Sequence, residues 1–409
     1  MFKGIRFFVN KFFVNILDLT KCDKIIKPSK LIYEKKYWQV LETFHRTFKI
    51  FNAYYDGRDY LKNQNQSSVK IMAMVDRRDL NIKIYGQLWF DGLTEPIFTM
   101  ACKYLITWKR TWRYNREGYE PYLIICQNPL QSLNLIPSSV SLVENPCDDA
   151  TNNFKIIFKP VQLEMKKNFA VCTQLYHYKD FNETIKLIEW IEIILLFGAD
   201  QIIFHVIDVQ PVILSILKFY EAKGKVKIEM MSLPDDMLKD NPDTLLQNLR
   251  LQTNQNQMIA LNDCLYKNMY NYQFLVPLDI DEIIVPTRKN EKTWGDLLDR
   301  KTLGGKMVYN SYIATSSLFL TNNNHQNELQ PEIPSHLFFL QNVYRSSFSL
   351  EPTDGPKSFQ NTAEVEVMHN HFPMFCFNIP NDHCRKYFFK EEDAKLHHYR
   401  HSCPRYLNS

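Results

Sequence analysis

The chain has 409 residues, which predicts two or three folded units, and its 45% hydrophobic and 23% charged residues exclude a disordered or coiled-coil protein. Its 49 basic and 45 acidic residues leave a net charge of only +4, so charge gives no reason to expect a nucleic-acid partner. An anionic substrate would have to be bound by local groups.

The N-terminal 20 residues are rich in phenylalanine but are interrupted by Lys3, Arg6, Lys11 and Asp18. This pattern is typical of neither a signal peptide nor a membrane anchor. No uncharged apolar run of roughly 20 residues, the length that a spanning helix needs, is legible anywhere in the sequence. We therefore treat residues 1–60 as an N-terminal segment, which a truncated anchor or stem would explain.

Short β-rich segments dominate residues 61–165. They are Val69–Val75, Ile82–Phe90 and Tyr122–Cys126, and the turns between them contain aspartate, glycine or proline. The spacing predicts a smaller β-rich domain with a sandwich-like fold.

Strands and helices alternate in residues 166–409. The predicted strands are 169–176, 201–207, 226–230 and 274–278, and the predicted helices begin near Asp180 or Asn182, at Pro211 and near Gln257. Alternation of this kind predicts an α/β domain with a mostly parallel central sheet. Ligands of such sheets bind beyond the carboxyl ends of the strands, so the functional site is expected to follow a strand.

The strand at 274–278 leads directly into Asp279-Ile280-Asp281-Glu282. Clustered carboxylates at a strand end are costly unless a cation neutralises them. Because alternate side chains of an extended segment point the same way, we predict that Asp279 and Asp281 bind one divalent metal ion, which can hold a diphosphate. The alternative is two solvated aspartates in a turn, and the position after three β-α units favours the metal site.

Several further segments form a pattern more specific than this acidic motif. They are Val140-Ser141-Leu142-Val143-Glu144, Cys147, Phe169-Ala170-Val171-Cys172, Leu187-Ile188-Glu189-Trp190-Ile191-Glu192, Gly198-Ala199-Asp200, Leu261-Asn262-Asp263-Cys264-Leu265-Tyr266, Lys357-Ser358-Phe359, His369-Asn370-His371-Phe372-Pro373 and His398-Tyr399-Arg400. Together with the acidic motif, they resemble glycosyltransferase family 92, and in particular its arthropod-type members.

The resemblance implies a GT-A type nucleotide-sugar-binding fold, with Asp279, Asp281 and Glu282 as nucleotide-sugar-binding residues. It also implies Mn²⁺, UDP-galactose as donor, inversion at the anomeric carbon and a glycan acceptor. Family members are Golgi membrane proteins, so the resemblance implies the Golgi or secretory pathway and membrane association, although the spanning helix of the family is not legible in this sequence.

Six of the eleven histidines fall within residues 369–401. In GT-A enzymes generally, a late histidine completes the metal shell, and we predict His371 and His398 as metal ligands, with His369 and His397 turned away. Ordinary hydrogen-bonding histidines are the alternative. A zinc site with the nearby cysteines is a further alternative, but the spacing matches no common zinc pattern.

An inverting transfer needs a general base for the acceptor hydroxyl. Glu364 and Glu366 are candidates, with strand-face glutamates as the alternative, and Lys357 is a candidate for contact with phosphate oxygens.

The cellular compartment is not decided by the nine dispersed cysteines, which are compatible with cytosolic thiols and with secretory disulfides. Asn65 and Asn182 lie in glycosylation sequons, which are used only in the secretory pathway.

The sequence thus predicts a metal-dependent inverting glycosyltransferase, specifically a galactosyltransferase. One alternative is a metal-dependent phosphohydrolase in which paired aspartates clamp two ions, although no second acidic cluster completes it. The other is a glycan-binding or scaffold protein without turnover.

Overall fold

The computed structural model describes residues 22, 38–76, 81–109, 119–159, 166–176, 183–234, 250–301, 308–321, 332–345, 350–351, 354–377 and 384–400. They divide into two compact units, within Met1–Phe158 and Lys159–Ser409, and each unit has a buried apolar core. Asn182 and most of the predicted N-terminal segment lie outside the described residues. Within the described part, no helix combines the length and the apolar composition required to cross a membrane.

The first unit contains a nine-stranded sheet. Its strands are β1 (Gln39–Glu42), β2 (Thr47–Asp56), β3 (Ser68–Val75), β4 (Tyr85–Trp89), β5 (Ile97–Phe98), β6 (Lys103–Ile106), β7 (Glu120–Gln127), β8 (Ser139–Val143) and β9 (Phe154–Ile157), with the helix α1 (Asp59–Asn63) and a 3-10 turn at Gln131–Leu133. The strand order is β5-β4-β8-β9-β2-β3-β7-β6, and β1 pairs with residues 47–50 of β2. All neighbours are antiparallel except β2 and β9.

Apolar side chains of these strands form the core of the first unit. Ile71 and Ala73 of β3 share one apolar cluster with Leu88 of β4 and Val140 of β8, so residues from both halves of the sheet are buried together. The predicted boundary at residue 60 is corrected, because β2 is a central strand of this sheet and lies before that boundary.

The second unit begins with strands and helices that alternate. Its strands are β10 (Lys167–Tyr176), β11 (Gln201–Ile207), β12 (Val226–Met230), β13 (Tyr272–Pro277), β14 (Glu282–Pro286), β15 (Ser311–Ala314), β16 (Ser316–Leu320), β17 (Lys357–Asn361), β18 (Val365–Val367), β19 (Phe375–Cys376), β20 (Lys386–Phe388) and β21 (Ala394–Arg400). Its helices are α2 (Glu183–Leu196), α3 (Pro211–Ala222), α4 (Arg250–Asn268), α5 (Trp294–Asp299) and α6 (Phe338–Gln341).

A seven-stranded sheet with the order β12-β11-β10-β13-β17-β15-β20 forms the centre of this unit. The four strands from β12 to β13 are mutually parallel, whereas β17 is antiparallel to both of its neighbours. The chain moves to one side of β10 for β11 and to the other side for β13, which makes the carboxyl ends of β10 and β13 a topological switch point. This is the expected GT-A type α/β fold, preceded by the β-rich unit.

A separate three-stranded sheet with the order β14-β21-β16 positions the C-terminal histidines. Strand β21 is antiparallel to β14 and parallel to β16, with Glu282 opposite His398. Strands β18 and β19 form a small two-stranded sheet. The C-terminal segment is therefore an integral part of the second unit.

The sequence signals for helix ends agree with the structure. Pro211 lies in the first turn of α3, and Gly224 follows that helix with a φ of 70°, which a residue with a side chain rarely adopts. Helix α4 begins at Arg250, earlier than the predicted start near Gln257, because its first two turns are polar and carry no apolar period.

Candidate active site

The acidic motif forms a tight turn at the carboxyl end of β13. The N–H of Leu278 donates to the carbonyl of Cys172 on β10 at 3.2 Å, and the N–H of Glu282 donates to the carbonyl of Asp279 at 3.0 Å. The expectation of an extended segment is therefore wrong. Because the chain turns between Asp279 and Glu282, the side chains of Asp279 and Asp281 have different partners.

Asp279 is paired with a buried lysine. The Nζ of Lys357, the first residue of β17, lies 3.0 Å from Oδ2 of Asp279 and 2.8 Å from Oε2 of Glu282, and it also donates to the side-chain oxygen of Asn370. These three acceptors match the three N–H bonds of a lysine ammonium. The side chain of Lys357 is 0% exposed, so the predicted contact with phosphate oxygens is not supported.

Burial and this ion pairing shift the pKa values of the three groups. Burial raises the pKa of Glu282 to about 7 and outweighs the attraction of Lys357. Partial desolvation also acts on Asp279, whose side chain is 46% exposed, but there the Lys357 ammonium prevails and lowers the pKa of the carboxyl. For Lys357, burial is opposed by the carboxylates of Asp279 and Glu282, which raise its pKa. The lysine thus remains charged and offsets one carboxylate.

Asp281 is paired with His398. The Nε2 of His398 lies 3.5 Å from Oδ2 of Asp281, and its Nδ1 lies 3.6 Å from Oε1 of Glu282. The register of β14 and β21 produces this approach, and the N–H of Tyr399 donates to the carbonyl of Asp281 at 2.9 Å. Burial disfavours a charged imidazole, but Asp281 and Glu282 raise the pKa of His398.

His371 joins the same cluster. Its Nδ1 lies 2.9 Å from the carbonyl of Pro356 and must donate to it, which leaves the lone pair of a neutral ring on Nε2. Burial, aided by the Lys357 ammonium, lowers the pKa of His371 to about 4, and the ring interacts electrostatically with Asp279 and His398. A neutral imidazole of this kind has the protonation state of a metal ligand.

The two neighbouring histidines have other roles, as expected. The ring of His397 lies against Phe319 with 4.4 Å between ring centroids. The Nδ1 of His369 accepts the N–H of His371 at 3.2 Å, while Gln360 donates to the carbonyl of His369 at 2.8 Å. Successive residues of a strand point to opposite faces, which explains why His398 reaches the acids and His397 does not.

Of the two candidate bases, Glu364 lies away from the acidic turn. Glu364 pairs with Asn310 and lies 3.9 Å from Arg385. It follows the end of β17 that lies opposite Phe274, away from the carboxyl end of β13, and its role as the base stays a prediction. Glu366 lies on β18, where its carbonyl accepts a hydrogen bond from the hydroxyl of Tyr266 at 2.7 Å, and it stays an untested candidate.

Sequence reasoning missed Asn370 and the pairing of Lys357 with the acids. The signal for the lysine was its position at the start of a segment, Lys357–Asn361, that otherwise reads as a buried strand. A lysine that is fully buried needs charged or polar partners, and the nearest acidic cluster in the fold supplies them. Asn370 had no such signal, because an asparagine in a loop is common.

The donor atoms at this turn suit a divalent transition metal. Asp279 is the more exposed aspartate, at 46%, but Lys357 already binds it. Asp281 offers a carboxylate that is 33% exposed, and His398 beside it offers an imidazole that is 19% exposed. A carboxylate with imidazole ligands fits manganese better than magnesium. Within the described residues, no three His, Cys, Asp or Glu side chains form a complete ligand set, so diphosphate oxygens and water would supply the other positions.

Comparisons with known proteins concern the same part of the chain. The sequence model described as Glycosyltransferase family 92 matches residues 167–408. No curated protein matches the chain. Among solved structures, the chain is similar to one titled "Crystal structure of S. aureus TarS 1-349", with 14% identity, a TM-score of 0.25 and coverage of 48% of this chain and 47% of that chain. The chain thus spans about half the length of that structure.

The family match includes both the acidic turn after β13 and the strand that carries His398. It spans more than half of the 409 residues, and on that ground the chain belongs to glycosyltransferase family 92.

Proposed function

We propose that this chain is a metal-dependent, inverting glycosyltransferase that transfers galactose from UDP-galactose to a glycan acceptor. Family membership supports sugar transfer, and the resemblance of the sequence supports the donor and the inversion. The single structural observation that carries the proposal is the convergence of Asp279, Asp281, Glu282 and His398 at the carboxyl ends of β10 and β13.

Each residue of this cluster has a distinct role in the proposal. Asp281 and His398 would hold a manganese ion, with His371 as the nearest further imidazole, and the bound ion would neutralise the charge that develops on the departing nucleoside diphosphate. Asp279 and Glu282 bind Lys357 and thereby fix the turn that presents Asp281. The tight backbone turn keeps this carboxylate outside the apolar core, where it is reached from solvent.

We also propose passage through the secretory pathway. Four disulfides join described cysteines, namely Cys22–Cys147, Cys102–Cys126, Cys172–Cys264 and Cys376–Cys384. Disulfides persist mainly in oxidising compartments, which supports the Golgi over the cytosol. Cys403, the ninth cysteine, lies outside the described residues.

Release of UDP tests the proposed activity. The purified chain is incubated with UDP-galactose, UDP-glucose, UDP-N-acetylglucosamine or UDP-N-acetylgalactosamine, with a panel of glycan acceptors, and with either Mn²⁺ or EDTA. We expect acceptor-dependent release of UDP from UDP-galactose that requires Mn²⁺. Asp281→Asn is expected to remove it, whereas Asp91→Asn, at an exposed aspartate of the first unit, serves as the control. Release from no donor, or undiminished release in EDTA, contradicts the proposal.

A further inference from the structure

The buried ammonium of Lys357 carries an inference that rests on the proposed function, because it concerns the same site. Its three acceptors come from two segments of the chain: Asp279 and Glu282 from the two ends of the acidic turn, and Asn370 from the loop after β18. One cation therefore joins the turn that carries Asp281 to the loop that carries His371.

The neighbours of these acceptors are the residues that face the site. Asp281 lies between Asp279 and Glu282 in the tight turn, and His371 follows Asn370 directly. Holding the three acceptors thus fixes the backbone on both sides of Asp281 and beside His371. The hydrogen bond from the N–H of Asp279 to Oε2 of Glu282, at 3.0 Å, closes the same arrangement.

The ammonium also changes the charge that an incoming ion meets. Three carboxylates in one turn attract a divalent cation strongly when nothing else neutralises them. Lys357 already offsets part of this charge, at 2.8 Å from Glu282 and 3.0 Å from Asp279. The remaining attraction is weaker, and a nucleoside diphosphate restores it by adding negative charge and oxygen ligands.

We propose that Lys357 is a resident cation of the site: it positions the turn around Asp281 and, by offsetting the acidic charge, makes tight binding of Mn²⁺ depend on a bound nucleoside diphosphate. Lys357 is a positioning residue in this scheme, since its side chain has no exposure to a substrate. Because linkage is reciprocal, UDP binding depends on Mn²⁺ to the same degree.

Titration of free Mn²⁺, followed by electron paramagnetic resonance, tests the proposal without any turnover. The wild-type chain is expected to bind Mn²⁺ weakly alone and about tenfold or more tightly when UDP is present. In Lys357→Met, affinity for Mn²⁺ alone is expected to rise about tenfold, since one positive charge beside the acids is lost. The gain in affinity from UDP is expected to shrink by the same factor.

Two further variants separate this effect from simple loss of stability. Lys267→Met is the matched control, because Lys267 also lies between two carboxylates, 2.8 Å from Asp263 and 2.9 Å from Glu229. It is expected to lower thermal stability and to leave the Mn²⁺ titration unchanged. In Lys357→Met combined with Glu282→Gln, the loss of one negative charge compensates for the lost ammonium, so stability and Mn²⁺ affinity are expected to return toward wild type.

The outcomes for the two proposals differ. If no UDP-sugar is turned over but Lys357→Met raises the affinity for Mn²⁺, the proposed transfer is wrong and the assignment of Lys357 stands. If turnover requires Mn²⁺ while Lys357→Met leaves the titration unchanged, if the double variant keeps the altered affinity of Lys357→Met, or if Lys267→Met changes the titration equally, the assignment of Lys357 is overturned. Absence of Mn²⁺ binding by the wild-type chain, with or without UDP, also overturns it.

Discussion

The imidazole of His398 meets the carboxylate of Asp281 because β21 pairs with β14 in a register that places residue 398 opposite residue 282. The distance between Nε2 and Oδ2 is 3.5 Å, although the two residues are far apart in the sequence. The end of the chain thus completes the site that the acidic turn begins.

Replacing the two aspartates is expected to have different effects. Asp281→Ala should lower Mn²⁺-dependent transfer by more than about 100-fold with little change in the thermal midpoint, because among the described residues this carboxylate contacts only the partly exposed His398, at 3.5 Å, and no fully buried charge. Asp279→Ala should lower transfer and also cost about 1–3 kcal/mol of stability, because it removes one partner of the buried Lys357.

Turnover of UDP-galactose and thermal unfolding of both variants provide the measurements. Equal loss of stability in the two variants would contradict the different environments of these carboxylates. Full activity in either would contradict the metal site.

The two histidines of the cluster are distinguished by their response to excess metal. His398→Ala should weaken the apparent affinity for Mn²⁺, with partial recovery of activity at high Mn²⁺, because His398 is the imidazole beside Asp281. His371→Ala should have the smaller effect, since its ring interacts with Asp279, which Lys357 already neutralises, whereas His398 lies beside Asp281. Mn²⁺ titrations of activity, alongside thermal midpoints, compare them. An unchanged titration in both variants refutes the assignment of histidine ligands.

Stability in acid is expected to depend on Asp393. Its carboxylate lies 2.8 Å from Arg288, 3.0 Å from Arg300 and 2.9 Å from Lys301. Burial opposes the charge, but these cations lower the pKa of Asp393 to about 2, below the ordinary value of 3.8. A lowered pKa in the folded state stabilises the protein above about pH 4, and this contribution is lost as the pH falls toward 2.

Asp393→Asn should therefore lower the free energy of unfolding by about 2 kcal/mol at pH 7 and by much less near pH 2. Urea unfolding of the variant and the wild type at both pH values measures the difference. The same loss at both pH values would show that the ion pairs are not its cause.

The disulfide between Cys172 and Cys264 is expected to stabilise the second unit. It links β10 to α4 across a sequence separation of 92 residues. Replacing both cysteines by alanine should lower the free energy of unfolding by about 2–4 kcal/mol. Denaturant unfolding measures the loss, and addition of a reductant to the wild type should approach it. No response to either treatment would mean that the thiols are not paired in the purified chain.

Glycosylation of Asn65 is expected when the chain is made in a secretory system. Asn65 is exposed after α1 in a left-handed turn with a φ of 53°, so its side chain is accessible to the modifying enzyme. Enzymatic deglycosylation followed by mass analysis reports the modification. An unmodified Asn65 in the secreted product would weigh against passage through the Golgi.

Local periodicity was sufficient to predict much of the second unit. The strands Gln201–Ile207 and Val226–Met230 have the predicted bounds, because the first is a buried, mostly apolar run and the second, at the edge of the sheet, alternates apolar and charged residues after Gly224. The first unit was harder to delimit. Strand Thr47–Asp56 is mixed in composition and has no strong turn signal before it, so the predicted domain boundary at residue 60 lies after this strand instead of before it.

For the site, sequence located the acids but not their partners. Residue type and the preceding strand were enough for Asp279 and Asp281. The pairing of Lys357 with Asp279 depends on β17 lying antiparallel to β13, which is set by long-range packing and leaves no local pattern. The position of Glu364 could not be predicted for the same reason, because sequence proximity to the histidines does not fix the end of the sheet at which a residue lies.

Two tryptophan side chains form hydrogen bonds along the edge of β14 that does not pair with β21. The indole N–H of Trp190 donates to the carbonyl of Glu282, and that of Trp294 donates to the carbonyl of Ile284, each at 2.9 Å. These alternate carbonyls point away from β21, along the edge of the three-stranded sheet. A free edge of this kind normally invites pairing with a strand of another molecule. The indoles already occupy its acceptors, so the strand that begins at the acidic turn is protected against aggregation through that edge.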